Sequence, residues 1–143
     1  MRRTIVGLAL VVGLVAAGCG DDSASVFDLG VGDCFDDQDV ETDILFDVPT
    51  VPCSAPHDNE IYFEFTMTDA AYPGQQAALE AADERCFDEF EGFVGIDYFE
   101  SDLEIFSIVP TSESWETGDR TALCALYALD FSKLTGSMRG AAR

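Results

Sequence analysis

The spacing of apolar residues along the 143-residue chain changes period several times, and each change predicts an element. Glu60 to Met67 alternates strictly, with Ile61, Phe63, Phe65 and Met67 on one face and Glu60, Tyr62, Glu64 and Thr66 on the other. That period of two predicts a half-buried strand with the first set on the core. Tyr72-Pro73-Gly74 interrupts it, and from Gln75 to Gly92 the period becomes helical. Leu79, Ala82, Cys86, Phe90 and Phe93 follow one helical face with Phe87 flanking, and Gly92 and Gly95 supply the stop. Leu103 to Val109 reads as a further strand ended by Pro110, and Thr111 to Asp119 as a polar loop holding Trp115. Thr121 to Phe131 is almost continuously apolar, as a central strand requires. Before these, Val31 to Phe35 reads as a turn entering a short strand, and Val48 to Cys53, with two prolines, as an extended edge segment. The expected fold is α+β: a small antiparallel sheet with one main helix packed across a face.

The N-terminus follows a different logic. Arg2 and Arg3 precede a 15-residue weakly polar-to-apolar run, Thr4 to Gly18, that ends Ala16-Ala17-Gly18-Cys19. A positive start, a short apolar stretch and small residues before a cysteine make a bacterial lipoprotein signal. The run is shorter than the roughly 20 residues a membrane span needs. We therefore expect residues 1–18 to be removed and Cys19 to carry a diacylglycerol. Residues 19–27 are expected to tether a domain over 28–138, with 139–143 a basic tail.

Cysteine parity agrees with this reading. Of the five cysteines, Cys19 leaves with the lipid, and Cys34, Cys53, Cys86 and Cys124 remain as an even set in an exported domain. Four cysteines allow three connectivities. Cys34–Cys53 with Cys86–Cys124 is favoured here, because each bridge then closes a moderate loop between neighbouring elements. The chain has no Cys-x-x-Cys pair, and the cysteine spacings of 19, 33 and 38 hold no close ligand pairs of the zinc-finger kind. No cofactor and no metal are expected.

Charge narrows the partners. Without Arg2 and Arg3 the chain has five basic and 28 acidic residues, a formal charge of 5 − 28 = −23. Such a field repels nucleic acid. It offers a dock to a cationic partner or Ca²⁺, and it also keeps an exported protein soluble. The most acidic stretch, Asp36 to Asp43, has carboxylates at alternate positions but lacks the glycine and terminal glutamate of a calcium loop.

Candidate chemistry is sparse. His57 is the single histidine, so any histidine-based acid–base step must use it, with Asp58 and Glu60 as neighbouring carboxylates. Trp115 with Asp119 and Arg120 could form a ligand platform, or a turn in which the aromatic covers the core edge. Ser137 lies in Thr-Gly-Ser-Met-Arg-Gly, which is not a nucleophile elbow. With no catalytic set legible, the expected activity is non-catalytic binding. The candidate contact surface joins the Cys53–Glu60 loop (His57, Asp58, Glu60) to Trp115–Arg120.

The ordered motifs resemble a known family. They are Val31-Gly32-Asp33-Cys34-Phe35, Val51-Pro52-Cys53-Ser54-Ala55-Pro56-His57-Asp58-Asn59-Glu60-Ile61-Tyr62, Tyr72-Pro73-Gly74, Cys86, Trp115-x-x-Gly118-Asp119-Arg120-x-x-x-Cys124 and Leu134-Thr135-Gly136-Ser137. Over about residues 30 to 138 they are similar to the septum formation-related domain of actinobacterial exported and membrane proteins. The resemblance implies an extracytoplasmic domain at the cell envelope, linked by name to division, and carries over no catalytic residue. The partners expected are the plasma membrane, through the lipid anchor, and an envelope or division protein.

Overall fold

A computed structural model describes residues 23–37 and 47–143. The expected signal run, Cys19 and most of the acidic stretch, from Gln38 to Asp43, lie outside the described residues. Among the described residues six strands, β1 (Ser23–Ser25), β2 (Cys34–Phe35), β3 (Asp47–Val51), β4 (Asn59–Thr66), β5 (Leu103–Ile108) and β6 (Thr121–Ala128), form one sheet. Its order is β1-β3-β2-β4-β6-β5, and every neighbouring pair is antiparallel. Helix α1 (Gln75–Val94) lies across one face, and a short helix α2 (Ser112–Glu116) caps one end. The expected α+β class, central β6 and both favoured disulfides, Cys34–Cys53 and Cys86–Cys124, are present.

Helix α1 forms where the 3/4 spacing places it. Ala78, Ala82, Cys86, Phe90, Phe93 and Val94 are buried, and Gly95 ends it at φ 90°, a conformation that favours glycine. Gly92, read as part of the stop, sits inside the helix. The Cys86–Cys124 bridge pins this face to β6. Strand β6 is apolar throughout because both its faces are covered. Cys124, Leu126 and Ala128 face the α1 core, while Leu123 and Ala125 pack with Val26, Leu29, Phe35, Val48 and Ile61 on the opposite side.

Strand β4 departs from strict alternation. Ile61 pairs with Ala125 and Phe63 with Cys124, so Tyr62 is the extra residue of a bulge. The bulge turns Tyr62 onto the helix side. There it is buried, donates its hydroxyl to the Cys86 carbonyl at 2.6 Å and meets Phe90 edge-on. Tyr62 and Glu60, expected on the outer face, are both interior. Strict alternation holds only along an unbroken ladder, and one inserted residue reverses the faces.

Three further expectations change. Val48–Cys53 is not an edge, because β3 lies between β1 and β2. Pro49 is accommodated there because it needs only its carbonyl, which accepts from the Asp36 amide at 2.9 Å. The tether expected to Phe27 is shortened, since Ser23–Ser25 forms β1 and Val26 is buried beneath it. The basic tail is docked: the Gly140 and Ala142 amides donate to the Phe93 and Val94 carbonyls, and Arg143 pairs with Asp102 at 2.9 Å.

Candidate functional site

The Cys53–Glu60 loop folds inward. Cys34–Cys53 ties its start to β2, and His57 exchanges two backbone hydrogen bonds with Leu134 at 3.0 and 2.8 Å, an isolated antiparallel bridge that lays the C-terminal segment over it. His57 and Glu60 are each 0 % exposed. The His57 Nδ1–H donates to the Ala55 carbonyl at 2.9 Å, since a carbonyl can only accept, and Nε2 finds no partner among the described residues. Glu60 accepts from the Ser137 hydroxyl at 2.6 Å and from the Met138 amide at 2.7 Å. Asn59, also buried, donates its amide to Asp37 at 2.8 Å. A loop expected to present His57 and Glu60 at a surface thus uses them to hold the chain's last turn. Their partners lie 77 and 78 residues away in sequence, beyond any local signal. A ring nitrogen of His57, Cys34 Sγ and a Glu60 oxygen lie within 4.8 Å of one another.

Asp58 alone of the three remains near the surface. Its carboxylate and that of Asp36 share Lys133, at 2.7 and 2.9 Å. Burial pushes the Asp58 carboxyl upward, but the Lys133 ammonium and the Asp37 amide outweigh it and hold the group below its usual range. The same contacts raise Lys133.

Trp115, Asp119 and Arg120 form a self-contained corner at the opposite end of β4. Thr111 and Ser114 cap α2 reciprocally, and Trp115 is buried against Tyr72. The Arg120 guanidinium stacks 3.7 Å over the Trp115 ring and donates to the Trp115 and Asp119 carbonyls. Asp119 accepts from the Ser114 hydroxyl and the Thr121 amide. The eight residues of β4, at about 3.3 Å each, separate this corner from the His57 loop. The two parts of the expected contact surface therefore do not meet.

What the tertiary structure assembles instead is an aromatic row on the sheet face opposite α1. Phe106 of β5, Tyr127 of β6 and Phe131 follow one another with ring centroids 6.0 and 5.5 Å apart. They line a cleft of about 270 Å³ whose polar wall is Asp37, Asp58 and Asn59. Phe131 is 79 % exposed and sits at φ 59°, uncommon for a residue with a bulky side chain. Its amide donates to the Ala128 carbonyl at 2.8 Å, so a tight turn holds the ring outward. Burial and the charges of Glu104 and Asp37 raise Tyr127, so its phenol stays a hydrogen-bond donor across the physiological range. Beyond Phe106 a second cavity of about 760 Å³ continues along β5, walled by Ile108, Leu123, Val26, Leu29 and the exposed Phe27. In the sequence Tyr127 and Phe131 read only as members of an apolar strand. The one local signal for the cleft was Leu129-Asp130-Phe131, an acid interrupting that run.

Comparison with curated proteins and with solved structures returns no match. A family model described as septum formation matches residues 22–143, the span that begins beside β1 and includes the docked C-terminal turn. With that match over most of its length, and with the motif cysteines paired as disulfides and the motif histidine and glutamate closing the domain, the chain belongs to the septum formation family.

Proposed function

We propose that this domain is a non-catalytic, lipid-anchored binding module at the outer face of the plasma membrane, serving septum formation by holding an envelope or division protein. The carrying observation is the Phe106–Tyr127–Phe131 row bordered by Asp37 and Asp58. Aromatic faces beside carboxylates suit a lysine or arginine side chain, through cation–π contact and charge-assisted hydrogen bonds. The strongly acidic chain would steer such a basic segment toward it. A hydrolase built on His57 is the weaker reading. A general base must come within hydrogen-bond reach of its substrate, and His57 is sealed beneath the C-terminal segment. The Ca²⁺ reading centres on Asp36 to Asp43, of which only Asp36 and Asp37 are described. Lipid anchoring rests on the N-terminal pattern and on parity, because the two disulfides consume every cysteine except Cys19.

The test is crosslinking and immunoprecipitation of the full chain from native envelopes, with fluorescence localisation alongside. Tyr127→Ala with Phe131→Ala should abolish the crosslinked partner while leaving the protein on membranes, and Cys19→Ala should release it from them. Partner recovery unchanged in the double variant would refute the aromatic site. Membrane retention of Cys19→Ala would refute the lipid anchor.

A further inference from the structure

The unpartnered Nε2 of His57 is the most anomalous polar atom among the described residues. Buried polar atoms are nearly always hydrogen-bonded, and an exception calls for a cause. Its other nitrogen is in the arrangement that metal-binding histidines use. The Nδ1–H is held by the Ala55 carbonyl, which fixes the tautomer and leaves Nε2 with a free lone pair. Two other ligand types converge on the same interior point. Cys34 Sγ and a Glu60 oxygen lie within 4.8 Å of the His57 ring and of each other, all three residues are buried, and Cys53 Sγ is bonded to Cys34 at 1.95 Å. Glu60 is itself oriented by the Ser137 hydroxyl and Met138 amide, as ligating carboxylates are by their supporting shell.

We propose that this interior point is a thiol-dependent site for a zinc-type divalent ion, with Cys34, Cys53, His57 and Glu60 as ligands and the disulfide as the alternative occupant of the same thiols. A dithiol reductant transfers two electrons and two protons to Cys34–Cys53 and is itself oxidised to a disulfide, leaving two thiols here. Binding of the ion then displaces both thiol protons, so two thiolates, one imidazole and one carboxylate surround it. Two sulfurs, one nitrogen and one oxygen suit tetrahedral zinc, and thiolates disfavour Mg²⁺ and Ca²⁺. Disulfide and metal exclude each other, since the bonded sulfurs carry no thiolate charge. Either one staples β2 to the motif loop, so the metal would keep the domain closed in the reduced chain that exists before oxidation. The cysteine spacings hold no close ligand pair. Cys53, His57 and Glu60 sit within eight residues, and only the fold adds Cys34.

The experiment uses the domain without its signal, reduced by a metal-free phosphine under anaerobic conditions and titrated with Zn²⁺ against a chromophoric chelator. Co²⁺ serves as the spectroscopic probe. The reduced protein should take up one Zn²⁺ per chain, give thiolate-to-cobalt charge-transfer bands, and melt at a higher temperature with Zn²⁺ than without. The oxidised protein should do none of these. Cys86→Ala with Cys124→Ala should keep the uptake, which assigns it to the other cysteine pair. His57→Ala should weaken it by at least about tenfold, the least that losing even a supporting group produces, and should shrink the zinc-dependent rise in melting temperature at the same Zn²⁺ concentration. Three results would overturn the site: uptake equal in oxidised and reduced protein, uptake unaffected by His57→Ala, or no uptake by the reduced chain.

Discussion

Glu60 offers the sharpest test of how the domain is closed. Replacing it with leucine removes the carboxylate that accepts from the Ser137 hydroxyl and the Met138 amide. The Ser137 hydroxyl can rotate to water because Ser137 is exposed, but the Met138 amide belongs to a residue only 4 % exposed and would be orphaned. An orphaned buried donor costs about 1–3 kcal/mol. The alternative is to undock the segment, which exposes Leu134 and Met138 at about 1.5–3 kcal/mol each and breaks the His57–Leu134 bridge. Orphaning is cheaper, so the ground state keeps the segment docked while its opening becomes easier by about 1–3 kcal/mol. At 1.4 kcal/mol per tenfold, amide exchange at Leu134, Met138 and Gly140 should accelerate by about 5- to 140-fold in the oxidised protein. Glu60→Gln should be milder, because one carboxamide can accept from Met138 and donate to Ser137, leaving both satisfied without charge assistance. Hydrogen exchange resolved by residue, with urea unfolding of each variant, makes the comparison. Protection unchanged within a factor of two in Glu60→Leu would refute the clasp, and Glu60→Gln behaving no better than leucine would refute the bonding argument.

Lys133→Ala should cost about 0.5–1 kcal/mol near neutral pH, the scale of exposed ion pairs, as Lys133 is 46 % exposed. Asp58 is depressed below 3.8, so its share is present above that value and lost as pH falls through the lower folded value. Lys133 is raised above 10.5, so its share is present below that value and lost as pH rises past the folded value. Thermal melts at a series of pH values should thus show wild type and variant differing between these limits and converging outside them; a difference that does not shrink as pH falls below 3.8 would contradict the assignment. Removing the Cys86–Cys124 bridge by double alanine substitution opens a 38-residue loop. The chain-entropy relation gives about 4 kcal/mol for that loop, and urea unfolding showing less than about 1 kcal/mol would mean the reduced chain is already constrained there.

Legibility followed sequence distance. Helix α1 was readable because contacts three and four residues apart define its buried face, and Ala82, Cys86, Phe90 and Phe93 carry that spacing intact. Strand β6 was readable because burial on both faces demands an unbroken apolar run. Where a single inserted residue changed the ladder, as at Tyr62, the same periodicity assigned the wrong face. The short helix α2 was missed because five residues with a capping box present too few positions for a period to show.

The sequence by itself determined the fold class, the main helix, the central strand and, by parity, that four of the five cysteines form a set. Each of these follows from local spacing or from counting. Only the tertiary structure decided that His57 and Glu60 are interior, that Cys34 joins them, and that Phe106, Tyr127 and Phe131 share one face. Those juxtapositions depend on which strands pair and on where the C-terminal turn docks. Both are set by burial summed over the whole chain, and no single segment encodes that sum.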